Sequence, residues 1–120
     1  MSSDDVYWHR EVETMPREQL TLLQEKKLRQ MVWYVWKNSP FYRRKFHEAG
    51  LLPEDVRTLD DLAKIPLTEK PELRASQARC IEEGKPPYAD ILCVDEKEVV
   101  TMVQTTGTTG RPSSSHRFLH

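Results

Sequence analysis

The chain has 120 residues, 38% of them hydrophobic and 31% charged, with a formal net charge of −1. That length supports one domain at most with a modest core, and the interleaving of both charge signs leaves no extended basic face, which argues against nucleic acid or an anionic membrane as partner. No apolar run approaches a membrane span, and the acidic opening Met1-Ser2-Ser3-Asp4-Asp5 is unlike a secretory leader, so the expected compartment is the cytoplasm.

Residues 1–10 read as a flexible N-terminus. From Pro16 to Lys37, Leu20, Leu23, Leu28, Met31, Val32, Val35 and Trp36 return at three- and four-residue steps, which predicts one amphipathic helix. Thr14 or Met15 begins it, Pro16 suits a first-turn position and Glu18 complements the positive helix end. Asn38 and Ser39 close it, because the residue before Pro40 is pushed away from helical angles. Met31, Trp33 and Trp36 read as helix-packing surface rather than a ligand box, with Trp33 and Tyr34 off the main stripe.

Ser39-Pro40 then reads as the cap and first residue of a second helix with Phe41, Tyr42, Phe46 and Ala49 on its apolar side and Gly50 as its stop. Its basic run, Arg43-Arg44-Lys45, with Glu48 nearby, reads as a solvated face. Leu51-Leu52-Pro53 is a predicted turn. Thr58 with the acids Asp60 and Asp61 opens a third short helix that Ile65-Pro66 breaks, and Thr68 caps a further helix of about two turns. Residues 77–88 read as an irregular connection, punctuated by Gly84, Pro86 and Pro87. The runs Ile91–Val94 and Val99–Val103 both read as strands.

Cys80 and Cys93 have no Cys or His at a spacing that favours metal ligation, so both read as reduced structural thiols. His9, His47, His116 and His120 read as solvated surface. Glu82-Glu83 and Asp95-Glu96 read as charged turns rather than metal carboxylates, and no metal site is assigned.

The most informative segment follows the second predicted strand: Gln104-Thr105-Thr106-Gly107-Thr108-Thr109-Gly110-Arg111-Pro112. Two of the chain's four glycines and four of its nine threonines fall between Thr105 and Gly110. Gly107 and Gly110 permit positive φ and close backbone approach, and consecutive N–H groups in a tight turn make an anion-binding concavity. The hydroxyls of Thr105, Thr106, Thr108 and Thr109 add donors, and Arg111 sets a planar fork of donors beside them, as phosphate oxygens require. The glycine spacing is not that of the G-x-x-x-x-G-K-[ST] loop. From these residues alone, a nucleotide-phosphate loop and an ordinary hairpin turn stand level.

Several segments together resemble the amino-terminal region of the phenylacetate-coenzyme A ligase family, within the acyl-adenylate-forming, AMP-binding enzymes. They are Glu13–Leu20, Asn38-Ser39-Pro40-Phe41-Tyr42-Arg43, residues 50–61 with Leu59-Asp60-Asp61-Leu62, Ile65–Lys70 and the Thr-Gly-Thr-Thr-Gly loop, and they extend over residues 11–112. The resemblance implies an α+β fragment, with N-terminal helices followed by short strands and a phosphate loop at the start of the large N-terminal domain of an adenylate-forming enzyme. It also implies a two-step ligase using ATP, Mg²⁺ and coenzyme A, with an aryl acetate such as phenylacetate as the acid. The loop Thr105–Arg111 would hold the outer phosphates of ATP. Arg111 stands where family members commonly have lysine.

The rest of the family's machinery would lie beyond residue 112, so no catalytic residue is expected in these 120 residues and the chain alone is expected to be inactive. Residues 113–120 lack the apolar pattern expected after the loop and read as a disordered tail foreign to the family, as a premature end or shifted reading frame would leave. Core surface left open by a fragment would favour oligomerisation or aggregation. The alternative reading is a small helical protein-interaction module derived from the ligase fold.

Overall fold

The computed structural model describes residues 6–106 and 112–118, with Thr106 and the last stretch described through their backbone alone. A short helix not foreseen from the sequence, α1 (Arg10–Glu13), comes first. His9 caps it, Nδ1 accepting from the Val12 N–H at 3.4 Å while its own N–H donates to Glu13 Oε1 at 2.7 Å. Thr14, expected at the start of the long helix, instead closes α1. The long helix α2 (Arg17–Asn38) starts from Pro16, whose carbonyl accepts from the Leu20 N–H.

One residue, Ser39, separates α2 from α3 (Pro40–Glu48). It closes one helix, its N–H donating to the Val35 carbonyl, and caps the next, its Oγ accepting from the Tyr42 N–H at 3.4 Å. The resulting corner sets Phe46 of α3 against Val32 of α2 in a small core with Leu51 and Val56, flanked by Leu28, Val35, Trp36 and Ile65. The rings of Trp36 and Phe46 lie 6.1 Å apart. Gly50, at φ +66°, ends α3 as expected, and the Leu51 N–H reaches back to the Phe46 carbonyl at 2.9 Å, which turns Leu51 into the core. Of the three residues expected to pack together on α2, only Trp36 does so. Met31 and Trp33 are exposed, because only one stripe of the helix faces α3.

Beyond the core, the third helix predicted from sequence is a 3-10 helix, Leu59–Lys64. Asp61 organises its start, Oδ2 accepting from the N–H groups of Arg57 and Thr58 while Oδ1 pairs with Lys64 at 2.8 Å. The Lys64 ammonium and then the two backbone donors hold this carboxyl far below the usual range. Glu25 accepts from the Leu59 N–H at 3.0 Å and ties this segment to α2.

Helix α4 (Lys70–Glu82) is capped at Glu69 rather than Thr68, and it runs well beyond the expected two turns, through residues read as irregular. It continues because Ser76 and Cys80, one turn apart, both face inward and are buried. Gly84, at φ +76°, is its stop, and the Lys85 N–H returns to the Cys80 carbonyl at 2.8 Å.

The predicted strand at Ile91–Val94 does not form. The N–H groups of Ile91 and Leu92 both turn back to the Tyr88 carbonyl at 3.1 Å, and the apolar side chains are half-buried in a turn rather than laid along a sheet. A short 3-10 turn, Glu96–Glu98, leads to β1 (Thr101–Thr106), which starts two residues later than expected. β1 pairs antiparallel with β2 (Pro112–Phe118), from Thr101 opposite Phe118 to Thr105 opposite Ser114, with an irregularity at Thr105/Thr106. The expected disordered tail therefore overlaps a paired strand; residues 119 and 120 lie outside the described residues.

Candidate functional site

The residues assigned from sequence to the phosphate loop begin at the end of β1. Thr105 is exposed there, Thr106 is its last residue, and Gly107, Thr108, Thr109, Gly110 and Arg111 lie outside the described residues. What is described in full is the helical part of the chain and the strap, residues 84–100, that leads from α4 to β1.

Asp90 is the centre of that strap. Its side chain is 16% exposed, and Oδ2 accepts from Arg79 of α4 at 2.6 Å and from Arg44 of α3 at 3.2 Å. Ser76 Oγ of α4 also donates to Oδ2, at 3.4 Å. The Asp90 main-chain carbonyl accepts from the Phe41 N–H at 3.0 Å and from Ser39 Oγ at 3.2 Å. Burial pushes this carboxyl up, but the two guanidinium groups outweigh it and the net effect holds it below the ordinary carboxylate range.

Further contacts pin the strap on both sides of Asp90. Buried Tyr88 donates to Glu96 Oε1 at 2.5 Å, Tyr34 of α2 donates to the Cys93 carbonyl at 3.3 Å, and Asp95 Oδ1 accepts from the Lys97 N–H at 3.0 Å. An irregular segment is thus tied to α2, α3 and α4 before β1 begins.

The basic run of α3, expected to be a solvated face, is divided among three structural tasks. Arg43 donates to the carbonyls of Trp36 and Lys37 and closes the end of α2. Arg44 joins Asp90. Lys45 is 8% exposed, and its Nζ donates to both oxygens of Glu72, at 2.7 and 2.8 Å, and to the Leu67 carbonyl at 2.6 Å. That pairing, with the Glu69 N–H, keeps Glu72 below the usual carboxylate range. The solvated reading failed because the partners lie far along the chain, where a local reading of charge cannot find them.

Nothing described here forms a nucleophile with its base. Cys80 is buried, and burial pushes the Cys93 thiol up, so it stays protonated at neutral pH. Glu96 and Asp95 are engaged as above. Among the described residues no group of three or more His, Cys, Asp or Glu side chains converges as a metal ion requires. Among the same residues no helix is long and apolar enough to cross a membrane. The sequence reading missed Asp90 and Arg79 altogether and placed Arg44 only in the basic run read as solvated. No local pattern marks them, since each is one charge in a mixed background.

No protein-family model matches the chain. It is 41% identical over 103 residues to phenylacetate-coenzyme A ligase of Thermus thermophilus, covering 86% of this chain and 21% of that protein. It is 36% identical over 102 residues to the enzyme of the same name from Escherichia coli, covering 85% of this chain and again 21% of the relative. The chain therefore spans about a fifth of the length of these relatives. Among solved structures, 2-hydroxyisobutyryl-CoA ligase in complex with 2-HIB-AMP and CoA in its thioesterification state matches at a TM-score of 0.84 and 37% identity, over 99% of this chain and 24% of that one. The same ligase in its postadenylation state matches at 0.80 and 34%, over 96% and 22%. The helical arrangement and the chain segments agree: over 85% or more of its length the chain is similar to one part of phenylacetate-coenzyme A ligase and of a related coenzyme A ligase.

Proposed function

We propose that this chain supplies the nucleotide-phosphate loop, and the helical base that carries it, to an ATP-dependent carboxylic acid–coenzyme A ligase whose acid is an aryl acetate such as phenylacetate. The observation that carries this reading is the likeness, at 37% identity and over 99% of the chain, to a ligase whose crystal structure holds an acyl-adenylate and CoA. The reaction has two steps. A carboxylate oxygen attacks the α-phosphorus of ATP, forming the acyl-adenylate as pyrophosphate leaves; the CoA thiolate then attacks the acyl carbon, forming the thioester as AMP leaves.

In this reading the N–H groups of residues 105–110 and the hydroxyls of Thr105, Thr106, Thr108 and Thr109 hold the outer phosphate oxygens, and Arg111 offsets their charge. Mg²⁺, when bound, screens the same phosphates. These 120 residues do not adenylate alone, because one loop supplies neither the acid's binding site nor the groups that hold carboxylate and phosphorus in line. The cytoplasmic assignment is part of the same proposal, supported by the need for ATP and CoA.

The test is ATP–pyrophosphate exchange with phenylacetate and Mg²⁺. The chain alone is expected to give none, and the chain joined to the remaining sequence of the Thermus relative is expected to exchange. Arg111→Ala in the joined protein should lower exchange by about 10- to 100-fold, the worth of a charge-assisted hydrogen bond, and Gly107→Val should abolish it. Exchange by the chain alone, or a fully active Gly107→Val, overturns the reading. A second reading, a helical protein-interaction module, is favoured by the exposed Leu22, Met31, Trp33 and Ile81 on α2 and α4. It gains if the joined protein never exchanges.

A further inference from the structure

We infer that Asp90 is a positioning residue for nucleotide binding: it locks the strap leading to β1 onto α3 and α4 at once, and thereby sets where the threonine-glycine loop begins. The inference rests on the loop reading above and adds a residue that touches no substrate.

Three observations support it. Asp90 uses both its carboxylate and its main-chain carbonyl: the carboxylate joins Arg79 and Ser76 on α4 to Arg44 on α3, and the carbonyl holds the first turn of α3 through Ser39 and Phe41. The segment it belongs to has no regular structure between the end of α4 and the short turn at Glu96–Glu98, so its path is set by side-chain anchors rather than by a backbone ladder. The side-chain hydrogen bonds named above for Tyr34 and Tyr88 reach the strap at Cys93 and Glu96, and neither joins α3 to α4. Asp90 is thus the junction at which the strap's course is decided. Such a charged node at low exposure is strong only while every partner is present.

Phosphate binding by a loop depends on donors held in place before the ligand arrives. Loosening the strap lets β1 sample other positions, so ATP must order it on binding, which weakens affinity. The step that uses the pyrophosphate end of ATP suffers. Attack of CoA on an acyl-adenylate already made does not use those donors.

The joined protein tests this through its separate half-reactions. Asp90→Asn is expected to raise KM for ATP in pyrophosphate exchange by about tenfold, the scale of one charge-assisted hydrogen bond, while thioester formation from supplied phenylacetyl-adenylate and CoA changes by less than about twofold. Asp90→Glu, which keeps the charge, should recover part of the KM. An unchanged KM overturns the inference, and so does an equal fall in both half-reactions, which would mark a merely structural role. If Gly107→Val abolishes exchange while Asp90→Asn leaves it untouched, the loop reading stands and this one falls; if Gly107→Val is active, the loop reading falls first.

Should the Asp90→Asn joined protein fail to fold, amide exchange on the 120-residue chain decides. Amides of residues 91–106 should exchange about tenfold faster in the variant, with those of Val32 and Phe46 unchanged. Equal rates throughout, or equal acceleration in α2 and α3, overturn it.

Discussion

Replacing Phe46 by alanine removes the ring that closes the small core. Phe46 is 2% exposed and packs with Val32, Leu51 and Val56 beside the Trp36 ring. A buried phenylalanine withdraws about 150 Å² or more from water, which at about 25 cal/mol per Å² is worth about 4 kcal/mol. Phe→Ala changes in close-packed cores cost about 3–5 kcal/mol, so the two routes agree. A domain of this size holds about 5 kcal/mol at the lower end of the usual range. The loss approaches the whole of that stability. Urea titration followed by far-UV circular dichroism and tryptophan fluorescence should show the midpoint falling by about 2 M or more, given a slope of about 1–2 kcal/mol per M. Leu22→Ala is the matched control, since Leu22 is 67% exposed, and it should shift stability by less than about 0.5 kcal/mol. A Phe46→Ala protein within about 1 kcal/mol of the parent would mean that the core does not hold the fold together, and the reasoning from burial would fail.

Ser39→Ala should cost about 1–2 kcal/mol in the same titration, because it removes both the cap of α3 and a donor to the Asp90 carbonyl at a fully buried position; a neutral result would show that the corner does not need the hydroxyl. Gly50→Ala should destabilise by about 1 kcal/mol from the positive φ alone, since nothing lies within 4 Å of the added methyl; a stabilised variant would contradict the left-handed turn. Acid should unfold the chain through its paired carboxylates. Asp90, Glu72 and Asp61 all sit below their ordinary values, so the folded state binds fewer protons than the unfolded one as pH drops, and stability is full above the unfolded carboxylate range and lost below it. The urea midpoint should be flat from pH 7 to about 5 and fall below about 4, with a shallower fall in Asp90→Asn; a midpoint that rises in acid would reverse the sign.

Elements with local signals were legible in the sequence. The stripe of α2, the Ser39-Pro40 start of α3 and the stop at Gly50 are each set within a few residues, and the structure has them where the pattern puts them. Elements decided by distant partners were not. Residues 77–82 look polar and broken, yet they stay helical because Cys80 faces inward and Arg79 finds Asp90. Ile91–Val94 looks like a strand, but its apolar side chains are only half-buried while its backbone turns back on Tyr88. Lys45 looks solvated, and its burial could be read only with Leu67 and Glu72 already beside it. Of the candidate site, the composition of residues 105–111 was visible at once, whereas the clamp behind it depends on charges separated by 11 and 46 positions from Asp90.

The single residue between α2 and α3 has a bearing on how this lineage can vary in length. Ser39 donates its N–H to Val35, accepts from Arg43 at its carbonyl, and uses its hydroxyl both toward Tyr42 and toward Asp90. No slack remains to absorb an indel. One added residue would turn α3 by about 100° around its axis and advance it by about 1.5 Å, swinging Phe46 off Val32 and Arg44 off Asp90 together. Insertions and deletions among homologues should therefore avoid Asn38–Pro40, and a recombination crossover placed there should succeed only when both parents match residue for residue across the corner.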